Sequence, residues 1–84
     1  MNSKHRKTLS SIFETPTRSD IAFSDIEALV LALDGKVVER EGSRIKFVVK
    51  DQDFRCHRPH PARQAKKYQV EVFREFLLKI GVTQ

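Results

Sequence analysis

Between Gly35 and Pro59 the chain carries three consecutive short runs of β-strand character with almost nothing between them. Lys36 to Arg40 is β-branched, Arg44 to Val49 alternates as Arg-Ile-Lys-Phe-Val-Val, and Phe54 to Arg58 alternates as Phe-Arg-Cys-His-Arg. Parallel neighbours need a crossover of about a dozen residues or more. The links here, Glu41-Gly42 and Asp51-Gln52, are tight turns, so the runs can only form an antiparallel meander. Pro59 cannot donate to a ladder and ends the third strand.

Helical patterns flank the meander. Ser24, with Glu27 three residues on, has the spacing of a capping box. Ile26, Leu29, Val30 and Leu33 then fall on one helical face, and Gly35 is placed to take the left-handed position at the end. From about Tyr68 the period returns, with Val72, Phe73, Phe76, Leu77 and Ile80 as the apolar face, Lys79 in the last turn and Gly81 beyond it. A weaker stripe, Leu9, Ile12 and Phe13, predicts a short N-terminal helix over Ser3 to Glu14 with Ser3 as its cap and a basic first turn. Pro16 and small polar residues make 15–20 a linker. The expected fold is α+β, α-β-β-β-α with a short extra N-terminal helix. Residues 1–23 form an extension, and 24–84 the domain proper.

Two helices cover only one face of a three-stranded sheet, so the other stays open. With two-residue turns at Glu41-Gly42 and Asp51-Gln52, Val38 faces Ile45, Phe47 faces Cys56 and Lys46 faces His57. The covered face then holds Val38, Ile45, Phe47, Val49, Phe54 and Cys56. The open face holds Val37, Glu39, Arg44, Lys46, Val48, Arg55 and His57, with Glu39 placed to pair with Arg44. Cys56 reads as a small core residue rather than a nucleophile. As the single cysteine it makes no internal disulfide, and no Cys/His set has zinc-site spacing, so neither metal nor cofactor is expected. No apolar run approaches the roughly 20 residues of a membrane span, and the basic N-terminus lacks a signal-peptide core, so a cytoplasmic protein is expected.

The net charge of +5 favours polyanionic partners, RNA or DNA first and an acidic protein second. Arg44, Lys46 and Arg55 on the open face, with Arg58 at its exit, suit a phosphate backbone. They also suit the extra charge of a phosphorane-like transition state. His57 among them is a candidate general base, because imidazole trades protons near neutrality. The chemistry such an arrangement suggests is metal-free RNA cleavage, in which the 2′-hydroxyl attacks its own phosphate. His60, held between Pro59 and Pro61, is the second candidate: it either reaches the phosphate or fixes the loop through a backbone hydrogen bond. Cations on an exposed sheet can also serve only to deter aggregation.

The helix SDIEALVLALDG, the strands KVVEREGSRIKFVV, the exit HRPHP and the helix VEVFREFLLKIGV together resemble the HicA toxin family, over Ser24 to Val82. The specific parts are Gly42-Ser43, His60-Pro61, and Arg74 with Gly81. The resemblance implies a double-stranded-RNA-binding-domain-like fold and a metal-independent mRNA interferase, an endoribonuclease toxin neutralised by a HicB-like antitoxin that covers the cleaving surface. In the family a catalytic histidine usually follows the Gly-Ser pair, and here that position is Arg44. Arginine stays protonated and cannot be a base. His57, on the same face, is the expected replacement, with Arg44 stabilising charge. Residues 1–23 are absent from shorter members, and the loop from Pro61 to Val70 is longer than usual. The alternatives are a non-catalytic RNA-binding module of the same fold, or a basic protein-interaction domain.

Overall fold

The computed structural model describes Met1–Gln84, and in it the three β-runs form the expected antiparallel sheet, in the order β1-β2-β3. The strands are β1 Lys36–Glu39, β2 Arg44–Val49 and β3 Gln52–His57. The helices are α1 Ser3–Ile12, α2 Phe23–Ala32 and α3 Lys67–Lys79. Helix α2 lies over β1 and β2, and α3 lies over β3, so both cover the same face. Helix α1 touches α2 and α3 and lies away from the sheet. No helix is long and apolar enough to cross a membrane.

The core sits between sheet and helices. Phe47 is fully buried at its centre, with Phe23, Phe54 and Phe73 at centroid distances of 6.1, 6.0 and 5.7 Å. Ile45 and Val49 flank it on β2, and α3 contributes Val70, Phe73, Phe76 and Leu77, with Ile80 at its C-cap. Val72, expected in this face, is 42% exposed; Val70 takes its place because it lies one helical turn before Phe73. Residues 1–23 feed the same cluster through Leu9, Ile12, Ile21 and Phe23. Arg74 ties α1 down: its Nε donates to the Ile12 carbonyl (2.8 Å) and its Nη2 to the Glu14 carbonyl (3.2 Å), satisfying acceptors that a helix end leaves open. The stretch expected as a linker is pinned as well. Arg18 forks onto Asp20 and reaches Glu14, and the Thr17 hydroxyl donates to Glu71.

Three local expectations change. Asn2, not Ser3, caps α1, its Oδ1 accepting from the His5 N–H at 2.9 Å. The capping box at Ser24 does not form: α2 begins two residues earlier, with Ala22 at the cap and no side-chain cap bond. Its start is set by backbone pairing with the incoming loop, Phe23 N–H to the Arg63 carbonyl and Ala65 N–H to the Ile21 carbonyl. Glu27 is thereby free for another partner. At the far end Asp34, not Gly35, takes the left-handed position (φ 63°). Gly35 is needed for space, since a Cβ there would sit 2.8 Å from both the Val30 carbonyl oxygen and the Val49 side chain.

The turns move the strand partners. The β1–β2 loop has three residues, Glu41-Gly42-Ser43, with Arg40 N–H donating to the Arg44 carbonyl and Gly42 at φ 64°. One extra residue turns every β1 side chain over. Val37 therefore packs on the core opposite Phe47, Val38 faces out, and Glu39 moves to the helix side. The β2–β3 turn is Lys50-Asp51, both left-handed as a type I′ turn requires, one residue earlier than expected. That shift changes partners but not faces: Phe47 lies opposite Phe54, Lys46 opposite Arg55, and Arg44 opposite His57.

Candidate nucleic-acid interface

The open face is set by alternation along the three strands. In register it presents Lys36, Val38 and Arg40 from β1 and its end, Arg44, Lys46 and Val48 from β2, and Asp53, Arg55 and His57 from β3. Val37 and Glu39, expected here, are gone from it, for the reason of loop length just given. Arg40 arrives for the same reason.

Arg44 and His57 are direct cross-strand neighbours. The Arg58 N–H bonds the Ser43 carbonyl at 2.9 Å, which makes the next pair, Arg44 and His57, a non-hydrogen-bonded one. Such pairs hold their side chains closer together. The His57 carbonyl accepts from Gln69 Nε2 (2.8 Å), fixing the end of β3 against α3. Its imidazole is exposed and bonds no other side chain. A hollow of about 150 Å³, lined by Arg40, Arg44, Ile45, Arg55, Cys56 and His57, shares its three arginines with a broader depression of about 490 Å³ whose wall adds Val38, Glu39, Glu41 and Lys46.

Charge on this face is only partly balanced. Lys46 lies 3.8 Å from Asp53, and Arg44 lies 4.0 Å from Glu41 at the loop. Arg40 and Arg55 make no ion pair within the chain. Pairs this long at the surface hold a side chain weakly, so Arg40, Arg44, Lys46 and Arg55 can each turn to a phosphate.

Arg58 and His60 do not join the cluster. Arg58 follows His57, so alternation sends it to the helix side. There it makes a two-bonded fork with Glu39 (2.7 and 2.8 Å) and a further bond to Glu27 (2.9 Å). The hydrogen bonds it donates to Glu39 first and Glu27 second push its pKa up, and Arg58 in turn holds the Glu39 carboxyl below the usual carboxylate range. Arg58 thus clamps β1 and α2 to the start of the loop, and its donors are largely taken. His60 borders a separate hollow with Phe23, Ser24, Glu27 and Arg63. The expected Glu39–Arg44 pair is replaced by Glu39–Arg58.

Cys56 is half-buried against the core, and burial, with Glu27 adding to it, pushes its thiol up to about 11. A thiol so protonated is a poor nucleophile. No group of three His, Cys, Asp or Glu side chains is arranged to hold a metal ion. Compared with known proteins, the chain matches no protein family, no curated protein and no solved structure.

Proposed function

We propose that the open face binds RNA and cleaves it without a metal, the chain acting in the cytoplasm as the mRNA-cleaving toxin of a pair whose HicB-like antitoxin covers this face. The observation that carries the proposal is the direct pairing of His57 with Arg44 beside the uncompensated Arg40 and Arg55. The resemblance to HicA toxins supplies the reaction, and the cross-strand pair supplies a base where that family's usual position holds Arg44.

His57 takes the proton of the 2′-hydroxyl, and the oxygen attacks the adjacent phosphorus. The bond from phosphorus to the 5′-oxygen breaks, and that oxygen takes a proton from water. The products are a 2′,3′-cyclic phosphate and a 5′-hydroxyl. Arg44 and Arg55 offset the charge that gathers on the phosphoryl oxygens, the kind of interaction that is stronger in the transition state than before it. DNA, lacking the hydroxyl, is bound but not cut.

The test is incubation of the chain with RNA in the presence of a chelator. Cyclic-phosphate ends are expected, with His57→Ala slower by about 10²–10⁴-fold, the usual contribution of a general base. If His57→Ala cuts RNA as fast as the parent chain, the assignment fails.

A second reading, an RNA-binding module without catalysis, draws on one observation: no side chain orients the His57 ring, whereas a general base is usually held by a third group. It is distinguished by salt-sensitive binding with no cleavage products after long incubation.

A further inference from the structure

Aromatic side chains are distributed unevenly over this molecule. Phe23, Phe47, Phe73 and Phe76 are buried, Phe13 and Phe54 pack against the core, and there is no tryptophan. The open face of the sheet has only Val38 and Val48 as apolar side chains, so it offers no stacking platform. Tyr68, the single tyrosine, is the exception, at 58% exposed in the first turn of α3. Val72, one turn further on and also exposed, continues the same strip.

These two side chains form the far wall of an open groove of about 340 Å³ along the free edge of β3, with Phe54 and Cys56 beneath them. Its near wall is Arg55 and His57, which also line the basic hollow. One continuous track therefore runs from Arg40 and Arg44, across Arg55 and His57, to Tyr68. Gln69 lies within the groove, but its amide is committed at both ends: Nε2 to the His57 carbonyl and Oε1 to the Lys66 N–H. The groove offers a flat ring and apolar walls, and no free amide to read a base edge.

We propose that this groove is a nucleobase subsite for single-stranded RNA, in which the base next to the phosphate held by Arg44 and Arg55 stacks on Tyr68. The proposal rests on the RNA-binding face proposed above and names its substrate class. Cations that follow a backbone and deliver a base onto an aromatic ring are the working parts of single-strand binding, and such stacking tolerates sequence because every base has a π-face. Bases in a duplex are already stacked on one another and cannot enter.

The test uses the full chain and fluorescent 2′-O-methyl RNA, which cannot be cleaved, as a single strand and as a duplex. Tyr68→Ala should weaken single-strand binding about tenfold, Tyr68→Phe should bind as the parent does, and duplex binding should not change. The salt dependence should keep its slope, because no phosphate contact is removed. An abasic single strand should bind the parent chain about as weakly as the intact strand binds Tyr68→Ala, which tests the subsite without altering the protein. If the parent binds the single strand and Tyr68→Ala binds it as tightly, the subsite is wrong and the RNA face stands. Equal losses on single strand and duplex also overturn the subsite. If the parent binds neither probe at low salt, face and subsite fall together.

Discussion

The two sides of the sheet hold guanidinium groups in opposite states. On the helix side Arg58 is forked onto Glu39 and bonded to Glu27, its charge matched by carboxylates from two other elements. On the open side Arg40 and Arg55 have no carboxylate partner, and Arg44 has only a distant one. The residues differ little in sequence context, since Arg55 and Arg58 stand three apart on one strand and its exit. The arginine that clamps β1 and α2 to the loop has its counter-charge within the chain, whereas those of the open face keep theirs largely unmatched.

The largest effect should come from the covered side. Phe47→Ala removes the ring at the centre of the aromatic cluster and leaves a cavity, costing about 3–5 kcal/mol in urea unfolding. Arg44→Ala on the open side should cost no more than about 0.5 kcal/mol in the same measurement, as exposed substitutions usually do. A small loss at Phe47 together with a large one at Arg44 would reverse the division between the two faces.

Arg58→Ala should fall between these. It leaves Glu27 and Glu39 near one another without their cation, so the melting temperature should drop measurably at neutral pH. The pH dependence has a definite sign. Glu39 is held below the usual carboxylate range in the folded chain, by its bond to Arg58 first. Its contribution is therefore fully present above the unfolded value of about 4.3, and is lost as pH falls through the lower folded value. The gap in melting temperature between parent and Arg58→Ala should hold from neutrality down to that region and then narrow under stronger acid. A gap that widens on acidification would mean that Glu39 is not the partner that matters.

The comparison also shows what can be read from a sequence like this one. Element order and the inward faces of β2 and β3 follow from period alone, because Ile45, Phe47 and Val49 alternate without ambiguity. The face of β1 does not. Gly42 suits either a two- or a three-residue loop, and that single residue decides whether Val37 or Val38 points inward. Asp34 and Gly35 are ambiguous in the same way: either can take a left-handed position, and only the nearness of Val49 shows that the glycine is there for space. The His57–Arg44 pair was legible as one face but not as direct neighbours, since a turn placed one residue late puts Lys46 opposite His57. Arg58 read as a phosphate contact on charge alone. Its place beside His57 on an alternating strand was the available signal that it faces the other way. Nothing in the pattern marked Tyr68, because exposure of one ring on an amphipathic helix depends on what the helix packs against.

The smallest effect tests the comparison most directly. Arg40→Ala and Arg58→Ala each remove one positive charge and leave the same net charge on the chain. If binding to RNA followed net charge, both would weaken it alike. If it follows the open face, Arg40→Ala should lower the slope of log affinity against log salt by about one phosphate contact, a change of under one unit for single strands. Arg58→Ala should leave that slope alone, since its guanidinium is already spent on Glu39 and Glu27. The measurement needs only titrations of a non-cleavable single strand at several salt concentrations, with each variant's folding checked by its melting curve. Equal slopes for both variants and the parent would remove Arg40 from the interface and confine the phosphate contacts to Arg44, Lys46 and Arg55. Equal reductions in both would mean that the basic surface acts as a diffuse field, and that the pairing of Arg58 is no guide to which arginines a partner meets.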